Sequence, residues 1–356
     1  MLLDDKKIIA RIDAGNVRAS IEALPDQVEV AWREARKVRV PASYRQAEEI
    51  VVAGMGGSTL SADIVKSVYG GALRVPFSFI NGYHLPGSVG KNSAVIVSSY
   101  SGTTEEALAC FAEARKRGAK LLGIASGGSL AARLKCAKAP AYLFEPVFNP
   151  CNQPRLGGGY MTAGLLGLLS SFKGFSLDAE ELKALPSRLR RRAEAWRPQV
   201  MTRDNPAKLT ARALHGTVPI IVSAEHLAGN GHALQNQIHE SAKQFCAAFP
   251  LPEMNHHLME GLNFPLAAKK LLGFLFLESK LYSERLRLRV KVTQKALAKQ
   301  GFGFSSWQAV EPTRLGQAFE ALSFGSWVSF YMAIENKANP SNIPWVDFFK
   351  KEFARG

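Results

Sequence analysis

Two short segments of this chain carry the residue types that grip an anion. Gly54-Met55-Gly56-Gly57-Ser58 and Ser99-Tyr100-Ser101-Gly102-Thr103-Thr104 each follow an apolar run and each lead into a helical pattern. The first turn of a helix has backbone N–H groups without partners and a partial positive charge, so a phosphate placed there finds both donors and a favourable field. Glycines let the backbone come close, and the hydroxyls of Ser58, Ser99, Ser101 and Thr104 add donors, with Gly56 and Gly57 at the turn itself. The first segment lacks the third glycine of a dinucleotide fingerprint and the lysine of a nucleotide P-loop. The chemistry this predicts is recognition of a single phosphate ester, not of a dinucleotide or ATP. Either segment alone could be a structural turn. At successive strand ends they support each other, because ligands of an open parallel sheet bind beyond the carboxyl ends of its strands.

The elements that must position these loops read as alternating strands and helices. Glu49–Ala53 is a short buried strand, followed by a helix over Thr59–Val68 with Leu60, Ile64 and Val68 on one face. Val75–Ile80, Ala94–Ser98, Leu121–Ala125 and Ala141–Phe144 continue the strand series. Thr103 and Glu106 are spaced as a capping box for the helix after the third strand. Met161–Phe172 reads as an apolar helix, and the charged segment from about 176 to 206 as a helical connection. The pattern then restarts with a strand at Val218–Ser223, a turn at Gly229-Asn230-Gly231 and a helix from about His232 to Lys243. Leu271–Phe276 and Ser306–Val310 read as further strands, and helices close the chain at about Leu315–Glu335 and Val346–Phe353. Arg285–Val292 alternates basic and apolar residues with period two, the signature of a strand, while Thr293–Gln300 reads as helix; the boundary between them is open. The expectation is an α/β protein with two similar doubly wound parallel-sheet subdomains. Residues 1–175 form the first, with a helical N-terminal extension; 176–205 connect; 206–356 form the second.

Composition sets the outer limits. A length of 356 residues exceeds one typical core, and 47% apolar with 21% charged residues is ordinary for a soluble globular protein. The N-terminus has no signal-peptide pattern and no apolar run reaches a membrane span, so a cytoplasmic protein without membrane association is expected. Cys110, Cys136, Cys151 and Cys246 show no Cys-x-x-Cys spacing, which reads as reduced thiols and no metal site. Lys plus Arg is 45 against 30 acids, a formal net charge of +15 that attracts phosphorylated metabolites and nucleic acid alike. The densest clusters, Arg188 with Arg190–Arg192 and Arg285–Lys291, read as solvated helix faces. A nucleic-acid groove would interleave aromatics, and only Trp196 lies near the first cluster, so nucleic acid is not an expected partner.

With Asp63 after the first loop and Glu105 after the second, the two phosphate segments resemble those of sugar isomerase domains. More narrowly, the chain resembles the bifunctional phosphoglucose/phosphomannose isomerases of archaea and bacteria, over roughly residues 45–356. Four later segments carry the likeness: Pro154-Arg155, Asn236-Gln237-Ile238-His239-Glu240-Ser241-Ala242-Lys243, Pro252-Glu253-Met254-Asn255-His256, and Val346-Asp347-Phe348-Phe349-Lys350. The resemblance implies a hexose phosphate substrate held by Ser58, Ser99, Ser101 and Thr104. It implies Glu240 as the base that moves a proton between C1 and C2, and Arg155 as the stabiliser of the enediolate. His256 would assist ring opening and reach the site from the neighbouring subunit of a homodimer, and Lys350 would sit near the sugar. No metal or organic cofactor is implied. Leu258 stands where the family commonly has an acid, with Glu260 two positions on.

These residue types suit the reaction on chemical grounds. One carboxylate can take a proton from a carbon and return it to the next. A guanidinium stabilises charge that develops late, and a neutral imidazole can pass a proton to a ring oxygen near pH 7. Two other readings stand beside this one: a non-catalytic sugar-phosphate-binding regulator, and an isomerase of an amino sugar phosphate.

Overall fold

The structure is a computed structural model that describes residues 2–353 and 355. The first sheet is built from β1 (Glu49–Gly54), β2 (Phe77–Ile80), β3 (Ser93–Ser99), β4 (Lys120–Ala125) and β5 (Ala141–Leu143). All pair in parallel, in the order β2-β1-β3-β4-β5. The alternation of side chains along β1 explains the double winding. Ile50 and Val52 pack into one core with the helices α3 (Leu24–Ala35), α4 (Gly57–Tyr69) and α7 (Gly158–Leu169). Val51 and Ala53 pack into another with α5 (Glu105–Lys116) and α6 (Gly128–Cys136). Every residue of β3 is buried, as a central strand covered on both faces requires.

The N-terminal extension is helical, as its polarity and pattern predict: α1 (Lys6–Ile12) and α2 (Val17–Glu22) precede α3. The connection contains α8 (Ala179–Ala193), whose arginine cluster keeps Arg191 and Arg192 exposed, as read from the sequence, yet is held by ion pairs. Arg188 pairs with Glu311 at 2.6 Å, Arg190 with Asp26 at 2.6 Å and Glu29 at 2.7 Å, and Arg192 with the buried Glu320 at 3.2 Å. These pairs tie α8 both to the N-terminal helices and to the second half of the chain.

The second sheet comprises β6 (Val218–Ala224), β7 (Ala247–Leu251), β8 (Leu272–Ser279) and β9 (Phe304–Ala309), again parallel, in the order β7-β6-β8-β9. Helices α9 (Pro206–Leu214) and α10 (Ala228–Gln237) flank it. After the short α11 (Leu258–Gly261) and α12 (Ala268–Leu271) come α13 (Glu284–Lys299), α14 (Arg314–Glu335) and α15 (Pro344–Phe353). Helix α14 is buried nearly throughout and contacts both halves of the chain. Two parallel α/β sheets agree with the fold class expected from the sequence.

The structure settles one boundary left open, overturns one turn and adds one strand. Arg285–Val292 is helical, within α13, because its buried residues Leu286, Val290, Thr293 and Leu297 follow the helical period while Leu288 and Val292 face solvent. Gly229-Asn230-Gly231 is not a turn but lies inside α10, where Gly229 lets the helix approach the backbone of Asp63 in α4. Strand β7 is missing from the sequence reading because it is an edge strand interrupted by Pro250, which hides its period. Among the described residues, no helix is long and apolar enough to cross a membrane.

Candidate active site

The two loops converge. Strand β1 ends at Gly54, and Gly56, with φ 51°, turns the chain into α4. Ser58 is buried in the first turn of α4; its Oγ accepts from the backbone N–H of Tyr100 at 2.9 Å, and its carbonyl accepts from Ser98 Oγ at 3.0 Å. The Ser58 hydroxyl thus uses a lone pair inside the protein and keeps its own proton for donation. In the second loop, Gly102 has φ 69°, and a Cβ there would lie 1.9 Å from the Gly127 carbonyl, so only glycine fits. Ser99 Oγ accepts from the Gly102 N–H at 3.0 Å and lies 2.9 Å from Thr104 Oγ1. Ser101 Oγ lies 3.0 Å from Thr103 Oγ1. The capping box expected of Thr103 and Glu106 is not formed: Thr103 is engaged by Ser101, and the cap position of α5 is Thr104, with no side-chain bond to the helix. The hydroxyls of Ser99, Ser101 and Thr104 therefore surround a helix N-terminus whose first N–H groups no side chain has capped, beside Ser58 at a second one.

Arg155 carries this site toward the second half. It lies in the tight turn Pro154–Leu156, against the first loop: a Cβ on Gly57 would sit 3.2 Å from the Pro154 carbonyl and 3.5 Å from the Arg155 nitrogen. The turn is fixed by side chains that sequence reasoning passed over. Gln27 donates to the carbonyls of Phe148 and Leu156, each at 2.9 Å, and accepts from the Gly159 N–H at 3.2 Å. Asn149 donates to the Tyr100 hydroxyl at 2.7 Å and to the Gln153 carbonyl at 3.0 Å, and burial pushes the Tyr100 hydroxyl up to about 12. Buried polar side chains far apart in sequence leave no local signature, so nothing in the spacing of Gln27 or Asn149 could have marked them.

At its far end the Arg155 side chain is almost fully buried. Nη1 donates to Glu240 Oε2 at 3.1 Å and to Gln153 Oε1 at 2.9 Å, and Nε donates to Ser241 Oγ at 3.0 Å. Nη2 donates to the carbonyls of Pro340 and Ser341. Burial pulls the pKa of Arg155 down, and Glu240 opposes that shift. Glu240 sits on a single π-helical turn, Ile238–Ala242, that continues α10 and ends at Lys243 in the left-handed region, φ 55°. Such turns break helical register and often re-aim a side chain at a functional site. The carboxylate is partly exposed and lines a cavity of about 430 Å³ with His239, Lys243, Phe245, Ile343 and Trp345. Arg155 thus has its backbone against the first loop and its guanidinium on the Glu240 carboxylate.

The remaining two site residues lie elsewhere in the chain. His256 ends the turn Glu253–His256 after the edge strand β7, is exposed, and makes no hydrogen bond or ion pair among the described residues. Its neighbour His257 pairs with Glu253 at 2.8 Å. Lys350 is exposed on α15, a helix with no buried residue, whose beginning rather than Lys350 itself borders the Glu240 cavity. Asp63 bonds His232 Nδ1 at 2.9 Å, joining α4 to α10 instead of facing the two loops.

Two parallel α/β sheets in tandem, with hydroxyl-rich loops on the first and a carboxylate from the second bonded to a buried arginine beside them, have the two-subdomain sugar isomerase (SIS) fold. Residues 203–353 match the family described as bacterial phospho-glucose isomerase C-terminal SIS domain. A bifunctional phosphoglucose/phosphomannose isomerase of Caldicellulosiruptor bescii is 26% identical over 343 residues, 94% of this chain and 98% of the relative. One of Aquifex aeolicus is 28% identical over 336 residues, 94% and 97% of the two chains. Along nearly its whole length the chain is thus similar to bifunctional phosphoglucose/phosphomannose isomerases. A more distant relative, named D-glucosamine-6-phosphate 4-epimerase, from Sulfolobus acidocaldarius, is 26% identical over 61% of this chain and 64% of its own. Among solved structures, a hypothetical protein of Thermus thermophilus superposes with a TM-score of 0.74 at 16% identity, covering 98% of this chain and 94% of its own. A glucose-6-phosphate isomerase like protein of the same organism gives 0.61 at 17% identity, with 95% and 96% covered. These likenesses establish the fold.

Proposed function

We propose that this protein is an aldose–ketose isomerase that interconverts glucose 6-phosphate, mannose 6-phosphate or both with fructose 6-phosphate through a cis-enediolate. The observation that supports the reading is Arg155, whose turn packs against the Gly57 loop beside Ser58 while its guanidinium bonds the Glu240 carboxylate. The phosphate anchors one end of the sugar, and Glu240 meets the carbons at the other, taking the C2 proton and returning it to C1. A coupled assay with both aldose phosphates tests this. Turnover of at least one is expected, with a loss of about 100- to 10,000-fold in Glu240→Gln; absence of turnover with both, or a Glu240→Gln variant at full rate, refutes it.

We also propose a homodimer in which His256 serves the partner's site as the ring-opening acid or base. Its exposure and lack of partners support this. So does the groove of about 350 Å³ beside it, lined by Asn255, Met259, Leu288 and Val292, in which Leu288 and Val292 are exposed apolar residues. A second reading, an amino sugar phosphate as substrate, is favoured by the name of the Sulfolobus relative. Two cations, Arg155 and Lys243, flank Glu240 and would repel an ammonium at C2, so glucosamine 6-phosphate is expected to compete more weakly than glucose 6-phosphate in a thermal-shift series.

A further inference from the structure

Arg155 has no N–H left for a substrate. A guanidinium carries five, and all five are directed at protein acceptors: Ser241, Gln153, Glu240 and the carbonyls of Pro340 and Ser341. In this state Arg155 holds Glu240 in place, and it could reach the reacting oxygens only by abandoning an internal partner. A donor with a free proton beside Glu240 would share the negative charge that develops on the sugar.

Lys243 terminates the turn that carries Glu240. Its Nζ donates to the Glu240 carbonyl at 2.7 Å and to the Ser241 carbonyl at 3.2 Å. Those two bonds leave one of the three ammonium protons free, and the side chain lines the same cavity as the Glu240 carboxylate. Its left-handed backbone, φ 55°, is unusual for a long side chain and folds the stem back over the turn. Though much of the stem is exposed, burial of the head group and the nearby Arg155 push its pKa down to about 8.

We propose that Lys243 is a catalytic residue of the isomerisation, its third ammonium proton hydrogen-bonding the oxygen that bears the enediolate charge, with Arg155 as the positioning residue for the base. The inference rests on the isomerase reading. Glu240 removes the C2 proton; the C–H pair becomes the C1–C2 double bond, and the carbonyl pair moves to O1 as the negative charge that Lys243 meets. Lys243 keeps its proton throughout. The O2 proton then passes to the adjacent O1, Glu240 returns its proton to C1, and the pair on O2 closes the ketone.

The test compares wild type with Lys243→Asn, which tolerates the left-handed backbone, and Lys243→Met. Expected is a fall in kcat of about 100-fold or more, the scale of losing one oxyanion donor, with KM little changed. Affinity should fall in parallel for an aldonic acid 5-phosphate, whose planar carboxylate imitates the two enediolate oxygens, while affinity for inorganic phosphate stays as in wild type. Both variants within about threefold of wild-type kcat, or equal losses for phosphate and the carboxylate mimic, overturn the assignment. A wild-type protein inactive on both aldose phosphates overturns the isomerase reading itself, whereas an active wild type with active Lys243 variants overturns only the role of Lys243.

Discussion

Replacing Arg155 by lysine keeps the charge and removes the fork, and the structure sets the scale of the loss. Lysine offers three donors where five are used, so at least two of the acceptors on Ser241, Gln153, Glu240, Pro340 and Ser341 lose their partner. Each buried acceptor left unpaired costs about 1–3 kcal/mol, which gives roughly 2–6 kcal/mol in all. At about 2 °C per kcal/mol for a chain of this size, Tm falls by roughly 4–12 °C. The same loss frees Glu240 and the Pro340–Ser341 strap that leads into the cavity wall at Ile343–Trp345. A displacement of about 1 Å of the base is worth about 100-fold in rate, so kcat should drop on that scale while phosphate affinity holds within a few-fold. Calorimetry, steady-state kinetics and a phosphate titration measure the three quantities. An unchanged Tm with full kcat in Arg155→Lys would refute the claim that the guanidinium is saturated by, and positions, its own protein.

Gly102→Ala meets the Gly127 carbonyl and a positive φ at once, so the second loop must shift; the left-handed penalty alone is about 1–2 kcal/mol, and phosphate affinity measured by calorimetry should fall by roughly tenfold or more. The Lys243 ammonium is faced by Glu240, Arg155 and His239, while the α15 wall of the cavity is uncharged. Because its folded pKa of about 8 lies below the unfolded 10.5, kcat should hold below pH 8 and decline above it, a limb absent in Lys243→Asn. The same shift makes the native state release a proton that the unfolded chain keeps between about pH 8 and 10.5, so the contribution of this group to stability, read by denaturant titration, rises with pH across that window. Mixing inactive Glu240→Gln and His256→Asn subunits should restore part of the activity if His256 crosses a dimer interface, and none if it does not.

The fold was legible wherever apolar period and turn chemistry agreed. A buried run such as Ala94–Ser98 ending in Ser-Tyr-Ser-Gly reads as a central parallel strand that breaks into a loop, and the structure has that strand. It was illegible where two patterns competed: in α13 the basic–apolar alternation mimics a strand until the buried residues show the helical period. The two hydroxyl-bearing loops were legible because each is a contiguous segment; that they meet, through Ser58 and Tyr100, is a product of the fold. The wiring that sets Arg155 against Glu240 was not legible, since Gln27, Ser241 and the carbonyls of Pro340 and Ser341 meet only in three dimensions. Lys243 was visible only as one more residue of a matching segment; its left-handed backbone and the π turn before it are products of packing, which no local propensity announces.

Isomerisation in heavy water tests the central claim most directly. Proton transfer through an enediolate at Glu240 predicts deuterium at C2 of the recovered aldose phosphate and at C1 of fructose 6-phosphate after many turnovers, read by NMR and lost in Glu240→Gln. Full equilibration between aldose and ketose with the transferred hydrogen still entirely protium would contradict it.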